Sequence, residues 1–337
     1  MTRPDPSPPA SDTPQDDALA AVEAPEPEPE PWTPERATMW NAYYDLYVLG
    51  AALLLVFMTS AVRTNHPSLW SHLRMGREIA AQKSPLLADS FSYTEEGKTW
   101  VNVPWLYQAA SAGLYDLAYG LVPVAPDDPT ANRASAEQVA VGTLVALTAL
   151  IRLATAFVLI RIRRKGPGLW WAALCTALAF GATVGPAGLM LGGVAQPAIV
   201  DPSTWGVLLL AIEALLLFRG LGQDRPGALY ALVPLFVLWA NVDESFLFGL
   251  LVLAAAAIGK LLDGRKAAAG LAGGVLLACA LAVLANPSHV RISPAALEPI
   301  TSFFVGGEAP TTMNELSYFG KTLRSLYGDL ATWLLLF

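Results

Sequence analysis

The sequence predicts an all-α protein: a polytopic bundle of about seven to eight transmembrane helices, with a large external first loop that carries interfacial helices. Three observations lead there. Hydrophobic residues make up 54% of the 337 residues and charged ones 15%, against roughly 25% charged in soluble domains; the mean hydropathy is +0.44. Several apolar runs approach the ~20 residues that cross a bilayer. One long polar stretch, 63–135, is lodged between apolar helices.

Charge divides the chain. Residues 1–38 hold nine acids and two bases, which already equals the net charge of −7, so the remainder is formally neutral. The same segment carries ten prolines, including the run EAPEPEPEPW. It cannot bury enough apolar surface to offset its ordering entropy, and it reads as a disordered tail. It has neither the basic region nor the apolar region of a signal peptide. Residues 39–337 form the membrane domain.

The first span runs from about Tyr43 to Val62, with Trp40, Tyr43, Tyr44 and Tyr47 suited to a membrane interface. Further spans are expected at about Glu137–Ile160, Leu169–Leu191, Thr204–Phe218, Ala228–Ala240, Phe246–Leu262 and Ala267–Ala285. A last apolar stretch starts near Leu323 and stops at Phe337, which reads as a truncated chain or one lacking further helices. Basic clusters set the orientation. Arg161, Arg163, Arg164 and Lys165, then Arg219 and Arg225, then Lys260, Arg265 and Lys266 fall on alternate turns, so all three can be cytoplasmic together. The turns at about 192–203, 241–246 and 286–322 then face outward.

The segment VPWLYQAASAGLYDLAYGLV at 103–122 decides the side of the first loop. As a span it would put the acidic tail outside. As an interfacial helix it leaves the tail cytoplasmic and the whole loop 63–135 external. Gln108, Asp116, Tyr107, Tyr115 and Tyr119 make it amphipathic, which favours the second placement. The loop would then hold two interfacial helices, about Leu69–Gln82 and Trp105–Tyr119.

Candidate chemistry concentrates in this loop: the acids Asp89, Glu95 and Glu96, the bases Arg74, Arg77, Lys83 and Lys98 with His72, and the aromatics Trp70, Phe91, Tyr93, Trp100, Trp105 and Tyr107. Acids at a bilayer surface can act as general bases or bind a divalent cation. Bases there can hold a lipid-linked phosphate, and aromatics can stack on sugar rings or anchor the loop at the headgroups. A loop that merely lies on lipid would have the same composition. Two charges fall within spans, Arg152 and Glu213. Each should face protein or water, as an ion pair or a snorkelling side chain, and Arg152 could instead contact a lipid phosphate. His289 and Arg291, in NPSHVRISP, follow the span Ala267–Ala285 on the outer side, where they could approach a phosphate or serve as interface anchors.

Other chemistries find no footing. Cys175 and Cys279 each sit inside an apolar run and read as small buried hydrophobes, not as a disulfide or metal site. Three histidines supply little for a metal cluster, and no metal site is expected. No phosphate-binding loop, dinucleotide fingerprint, zinc-binding HExxH or nucleophile elbow occurs. No stretch reads as a nucleic-acid surface.

The pattern LWSHLRMGREI…PLLADSFSYTEEGKTWVNVPWL resembles the first external loop of bacterial membrane proteins related to the GT-C glycosyltransferases, whose relatives include the protein mannosyltransferase and aminoarabinose transferase groups. LWANVDESFLFGLL is similar to their W-x-N-x-H-x-x-F-x-x-G segment, and AQPAIVDPSTWGVLLLAIEALLLF to their RPQ-containing span. The resemblance covers about 63–120 and 190–290. It implies sugar transfer from a polyprenyl-phosphate donor at the external face of the bacterial inner membrane. It also implies an acid of the first loop as general base or metal partner. Asp89, in DSFSY, is the first candidate, and its plain alternative is a turn cap. The chain departs from the pattern at three positions. Ser68 stands where an acid is usual, Asp243 replaces the histidine, and Ala195 replaces the arginine. Asp243 and Glu244 could restore acidic function, or form a solvated hairpin tip.

The expected catalytic residues are thus Asp89, Asp243 and Glu244. The expected substrate-binding residues are His72, Arg74, Arg77, Trp100, Trp105, Arg152, His289 and Arg291. The expected partners are a lipid-linked sugar donor, membrane lipids and a protein reached through the N-terminal tail, without nucleic acid. No cofactor is specified beyond a divalent cation that the acids could hold. The alternative is a catalytically inactive relative serving as a scaffold or partner subunit. A transporter fits less well, because the two halves show neither an internal repeat nor matching broken spans.

Overall fold

Helix follows helix along the chain, as the apolar periodicity requires. The computed structural model describes residues 34–60, 67–91, 97, 100–123, 132–162, 172–176 and 200–289, and among them there is no strand. The tail 1–33, the basic cluster 163–165, most of the expected span Leu169–Leu191 and the final apolar stretch from Leu323 lie outside the described residues. The chain divides into two units, Met1–Trp40 and Asn41–Phe337, and the side-chain packing given below is that of the second.

Helix α1 covers Pro34–Ser60. It begins well before the expected Tyr43, because Pro34 is pre-set for a first helical position and no breaker follows it. Val48, Leu49 and Ala52 pack on Ile160, Ala172 and Ala173. Tyr43, Tyr44, Tyr47, Leu54 and Met58 are exposed, an apolar and aromatic surface that suits lipid.

The two helices expected in the polar stretch are present as α2 (Pro67–Gln82) and α3 (Trp105–Gly120). Prolines mark their boundaries: Pro67 opens α2, Pro85 follows its end, and Pro104 precedes α3. Gly76 lets the two helices touch. A Cβ there would lie 2.6 Å from that of Ala112 and would overlap the Gln108 carbonyl. Their shared core takes Leu69, Leu73, Ala112, Tyr115 and Ala118, continued by Ala140 and Leu144 of α4, which covers Arg133–Arg161.

Helix α5 (Pro202–Leu217) starts with Asp201 accepting from the Ser203 backbone N–H at 2.8 Å and with proline in its first turn. It ends in a π-helical turn, Phe218–Gly222, where Gly220 lies against Leu229. A 3-10 turn, Pro226–Ala231, leads into α6 (Leu232–Val242). A short turn at Asp243–Ser245 leads to α7 (Phe246–Leu262), and Gly264, at a φ of +75°, closes the turn to α8 (Lys266–Ala282). The core of this bundle is Leu209, Phe236, Trp239, Phe246, Leu253, Val275 and Cys279.

Three helical stretches, Arg133–Arg161, Pro202–Gly222 and Lys266–Ala285, are long and apolar enough to cross a membrane. Ala42–Met58, Pro226–Val242 and Phe246–Leu262 are shorter apolar helices. Outward faces carry Leu150 and Phe157 on α4, Val207 on α5, Leu251 and Ile258 on α7, and Leu277 and Leu281 on α8. A water-soluble bundle would place charge there, whereas hydrocarbon accepts these side chains.

Candidate functional site

The segment 100–105 joins the two halves of the fold. Val103 is buried in the α5–α8 core, while Trp100 and Trp105 pack with Met75, Ile79 and Leu86. From this seat the Trp105 indole N–H donates to Asn241 Oδ1 at 2.7 Å, across 136 residues of sequence. Asn241 is the central residue of the W-x-N-x-D segment, and its own amide donates to the Val237 carbonyl. The first-loop VPW and the end of α6 therefore meet directly.

Other turns gather at the same end of α6. Asn286, after α8, donates from Nδ2 to the Ala240 carbonyl at 2.7 Å and accepts from the Ser288 N–H, so the turn that holds His289 is tied next to Asn241. The start of α5 also arrives here, with Gly206 lying against the Asp243 carboxyl and the Ser245 hydroxyl. The described parts of all three turns that the charge pattern assigned to one side thus gather at the end of α6, which the first loop reaches through Trp105.

Asp243 is 7% exposed. It accepts from the Ser245 N–H at 3.0 Å and from the Ser245 hydroxyl, and that hydroxyl also accepts from the Trp239 indole N–H at 3.0 Å. Burial pushes the Asp243 carboxyl up from 3.8 to about 6. The Ser245 hydrogen bonds pull the other way, and the charge of Asp201 adds to the rise. Such a carboxyl can accept a proton near neutral pH. Glu244 beside it is partly exposed.

Asp89 lies in the connection between α2 and α3. Its Oδ1 accepts from the Phe91 N–H at 2.8 Å, which is a turn cap. Its carbonyl accepts from Gly97 N–H, and the Trp100 N–H donates to the Leu87 carbonyl, which closes the connection into a hairpin-like loop. Phe91 meets Trp100 edge to face. Asp89 is therefore linked to the α6 end through Trp100 and Trp105.

The remaining expected residues divide. His72 is enclosed between α2 and α3, with Nδ1 3.5 Å from Gln108 Nε2 and its ring edge-on to Tyr107. Arg74 is exposed on α2. Arg77 grips Asp116 through Nε and Nη2, at 3.1 and 2.6 Å, and lies over the Tyr115 ring. The hydrogen bond to Asp116 raises the Arg77 pKa further. Arg152 lies within α4, its Nη1 enclosed without a hydrogen-bond partner. His289 is exposed, with Nδ1 2.9 Å from the Leu284 carbonyl oxygen. Glu95, Glu96, Lys98, Ala195 and Arg291 lie outside the described residues.

Sequence reasoning passes over Asn102, Gln108, Asn241 and Ser245 as working parts. Gln108 and Asn102 exchange two hydrogen bonds, at 2.7 and 3.0 Å, and both are buried. The signal for Asn241 is its place in the W-x-N motif; nothing in the sequence announces the amide pair. Among the described residues no three His, Cys, Asp or Glu side chains stand close enough to hold a metal ion. No family model, curated protein or solved structure matches the chain.

Proposed function

We propose that this chain is a GT-C-like membrane glycosyltransferase. In this reading it transfers a sugar from a polyprenyl-phosphate donor at the end of the bundle where the first loop meets α6. The observation that carries the reading is the Trp105–Asn241 hydrogen bond. It unites the two segments that independently resemble that superfamily, VNVPW and LWANVDESF, and sets Asp243 beside their junction. Asp243, with its carboxyl near 6, is the general base for the acceptor hydroxyl. Asp89 and Glu244 are the further acids, and Arg74, His289 and Arg291 meet the donor phosphate. His72 acts through Gln108, and Trp100 and Trp105 hold the loop against the bundle. The full reading has seven to eight spans in a bacterial inner membrane, with the acidic tail cytoplasmic and free to engage a protein partner.

A second reading, an inactive relative serving as a scaffold, draws on a specific observation. The carboxyls of Asp89 and Asp243 both cap turns, a role that needs no substrate. Binding and turnover of a panel of polyprenyl-phosphate sugars separates the two. The protein is assayed in nanodiscs as wild type, Asp89→Asn and Asp243→Asn. The enzyme reading expects saturable binding, with turnover lost in at least one variant. Failure of every donor with all three proteins folded would sink it, and a pull-down through the N-terminal tail would then identify the scaffold's partner.

A further inference from the structure

Glu213 stands on the buried face of α5, one turn from Leu209 and one from Leu217, both core residues. Its side chain is 0% exposed, and neither carboxyl oxygen has a hydrogen-bond partner. Apolar groups surround it. A Cβ on Gly249 of α7 would come 2.7 Å from Glu213 Oε2, 2.7 Å from Trp239 Cζ3 and 2.8 Å from Phe236 Cζ, so the bare glycine makes the space that the carboxyl fills. The titratable group that faces it from α8 is Cys279, itself 0% exposed and within electrostatic reach. Phe236 and Trp239 of α6 and Gly249 of α7 bring no charge. Arg152, a charge within α4 with its Nη1 enclosed, gives it no hydrogen bond.

The pattern of α5 calls for a leucine at this position. A leucine would pack with its neighbours and leave no polar atom unpaired. An acid instead, with room made for it by a glycine on the facing helix, implicates the carboxyl itself in the work of the bundle. We propose that Glu213 is a proton-binding site within the helix bundle. Its carboxyl holds a proton in the enclosed space that Gly249 leaves between α5 and α7. The ligand is a proton from water, and the step makes or breaks one O–H bond without redox change. The proposal goes beyond sugar transfer and stands whether or not the donor panel binds.

The test uses the full chain in nanodiscs, as wild type, Glu213→Gln and Glu213→Leu. Infrared spectra are recorded across a pH titration for the carboxylic-acid carbonyl band. In parallel the protein is treated with an apolar carbodiimide and with a water-soluble one. The apolar reagent takes the carboxyl proton on nitrogen while the carboxyl oxygen bonds its central carbon, and the adduct rearranges to a stable acylurea that peptide mass spectrometry locates. The expected result is a carboxylic-acid band present in wild type and lost in both variants, with an adduct on Glu213 from the apolar reagent and none from the soluble one. Glu213→Leu should fold and melt at or above the wild-type temperature. Absence of any Glu213-dependent carboxylic-acid band at every pH would overturn the proposal. So would equal labelling by the water-soluble reagent, which would place the group in open contact with water.

Discussion

The α2–α3 pair with its 100–104 segment and the α5–α8 bundle solve the burial of polar groups in opposite ways. In the first, polar side chains are taken inside and matched: Gln108 and Asn102 are buried and hydrogen-bonded to each other, with His72 beside them. In the second, polar groups stand at the helix ends, where Asp201, Asp243 and Asn286 cap turns and Asn241 accepts from Trp105, and the interior is apolar apart from Glu213. Helix α3 mixes polar and apolar side chains on each face: Gln108 and Ser111 face in beside Ala112, Tyr115 and Ala118, while Leu117 is 64% exposed. The lesson concerns uniqueness. Apolar faces can slide over one another, whereas a reciprocal amide pair fits one register and leaves costly unpaired groups in any other. The polar region is a packed part of the fold, and the bundle docks on it through Val103 and Trp105.

The largest expected effect tests the bundle's end. The Asp243 carboxyl binds its proton more tightly in the fold, near 6, than at its ordinary 3.8. A folded state that holds the proton more tightly is favoured while the group is protonated. Below about 4 both states are protonated and burial of the charge costs nothing. Stability should fall as pH rises from about 4 to about 6, with a full cost above that on the order of 3 kcal/mol. Asp243→Asn should flatten this part of the curve. Thermal melts in nanodiscs at several pH values will show it, and a wild-type curve that rises through the window would contradict it.

The helix contact of the polar region comes next. Alanine at Gly76 would drive its Cβ into the Gln108 backbone and Ala112, while alanine at Gly113, on the open face of α3, meets nothing within 4 Å. The two substitutions should move stability in opposite directions. Gly76→Ala should destabilise by roughly 2 kcal/mol, and Gly113→Ala should stabilise by up to about 1 kcal/mol through helix propensity. Equal melting shifts for both would mean that α2 and α3 do not depend on this close approach.

The amide pair can be broken from one side or from both. Gln108→Leu strands the buried Asn102 amide and should cost roughly 1–3 kcal/mol, whereas adding Asn102→Leu removes the stranded partner and should cost less than the two single changes summed. Additive losses in chemical-denaturation midpoints would show that the pair is not coupled.

Local punctuation and apolar runs are legible in the residues alone. Pro67, Pro85 and Pro104 fix the limits of α2 and α3, because a residue that lacks an N–H and bars its predecessor from helix punctuates any environment. The apolar run Phe246–Leu262 matches α7 to the residue. What stays hidden is tertiary. The amphipathic character of α3 is visible in its composition, but composition cannot say that Gln108 and Ser111 are the polar residues that face protein while Asp116 stays exposed. Glu213 reads as half of an ion pair or as a snorkelling group, yet it is enclosed with neither oxygen hydrogen-bonded, because Gly249 of another helix makes its space. Trp105 and Asn241 each stand out by their motifs. Their bond depends on how α3 packs against α6, which no local pattern encodes.

That bond is where the two regions can be uncoupled with least damage. Trp105→Phe keeps an aromatic side chain among Met75, Ile79 and Leu86 and removes the indole N–H that Asn241 accepts. The loss of one neutral hydrogen bond should cost about 1 kcal/mol, the smallest destabilisation of the series. Its functional effect should exceed its thermal one. A site assembled from the loop and the α6 end loses its alignment when the tie is cut, even though both halves stay folded. Donor binding should therefore fall well beyond what the melting shift implies, and Asn241→Leu should reproduce the loss. If Trp105→Phe melts about 1 kcal/mol lower and binds every donor as wild type does, the tie holds the fold together and has no part in a shared site.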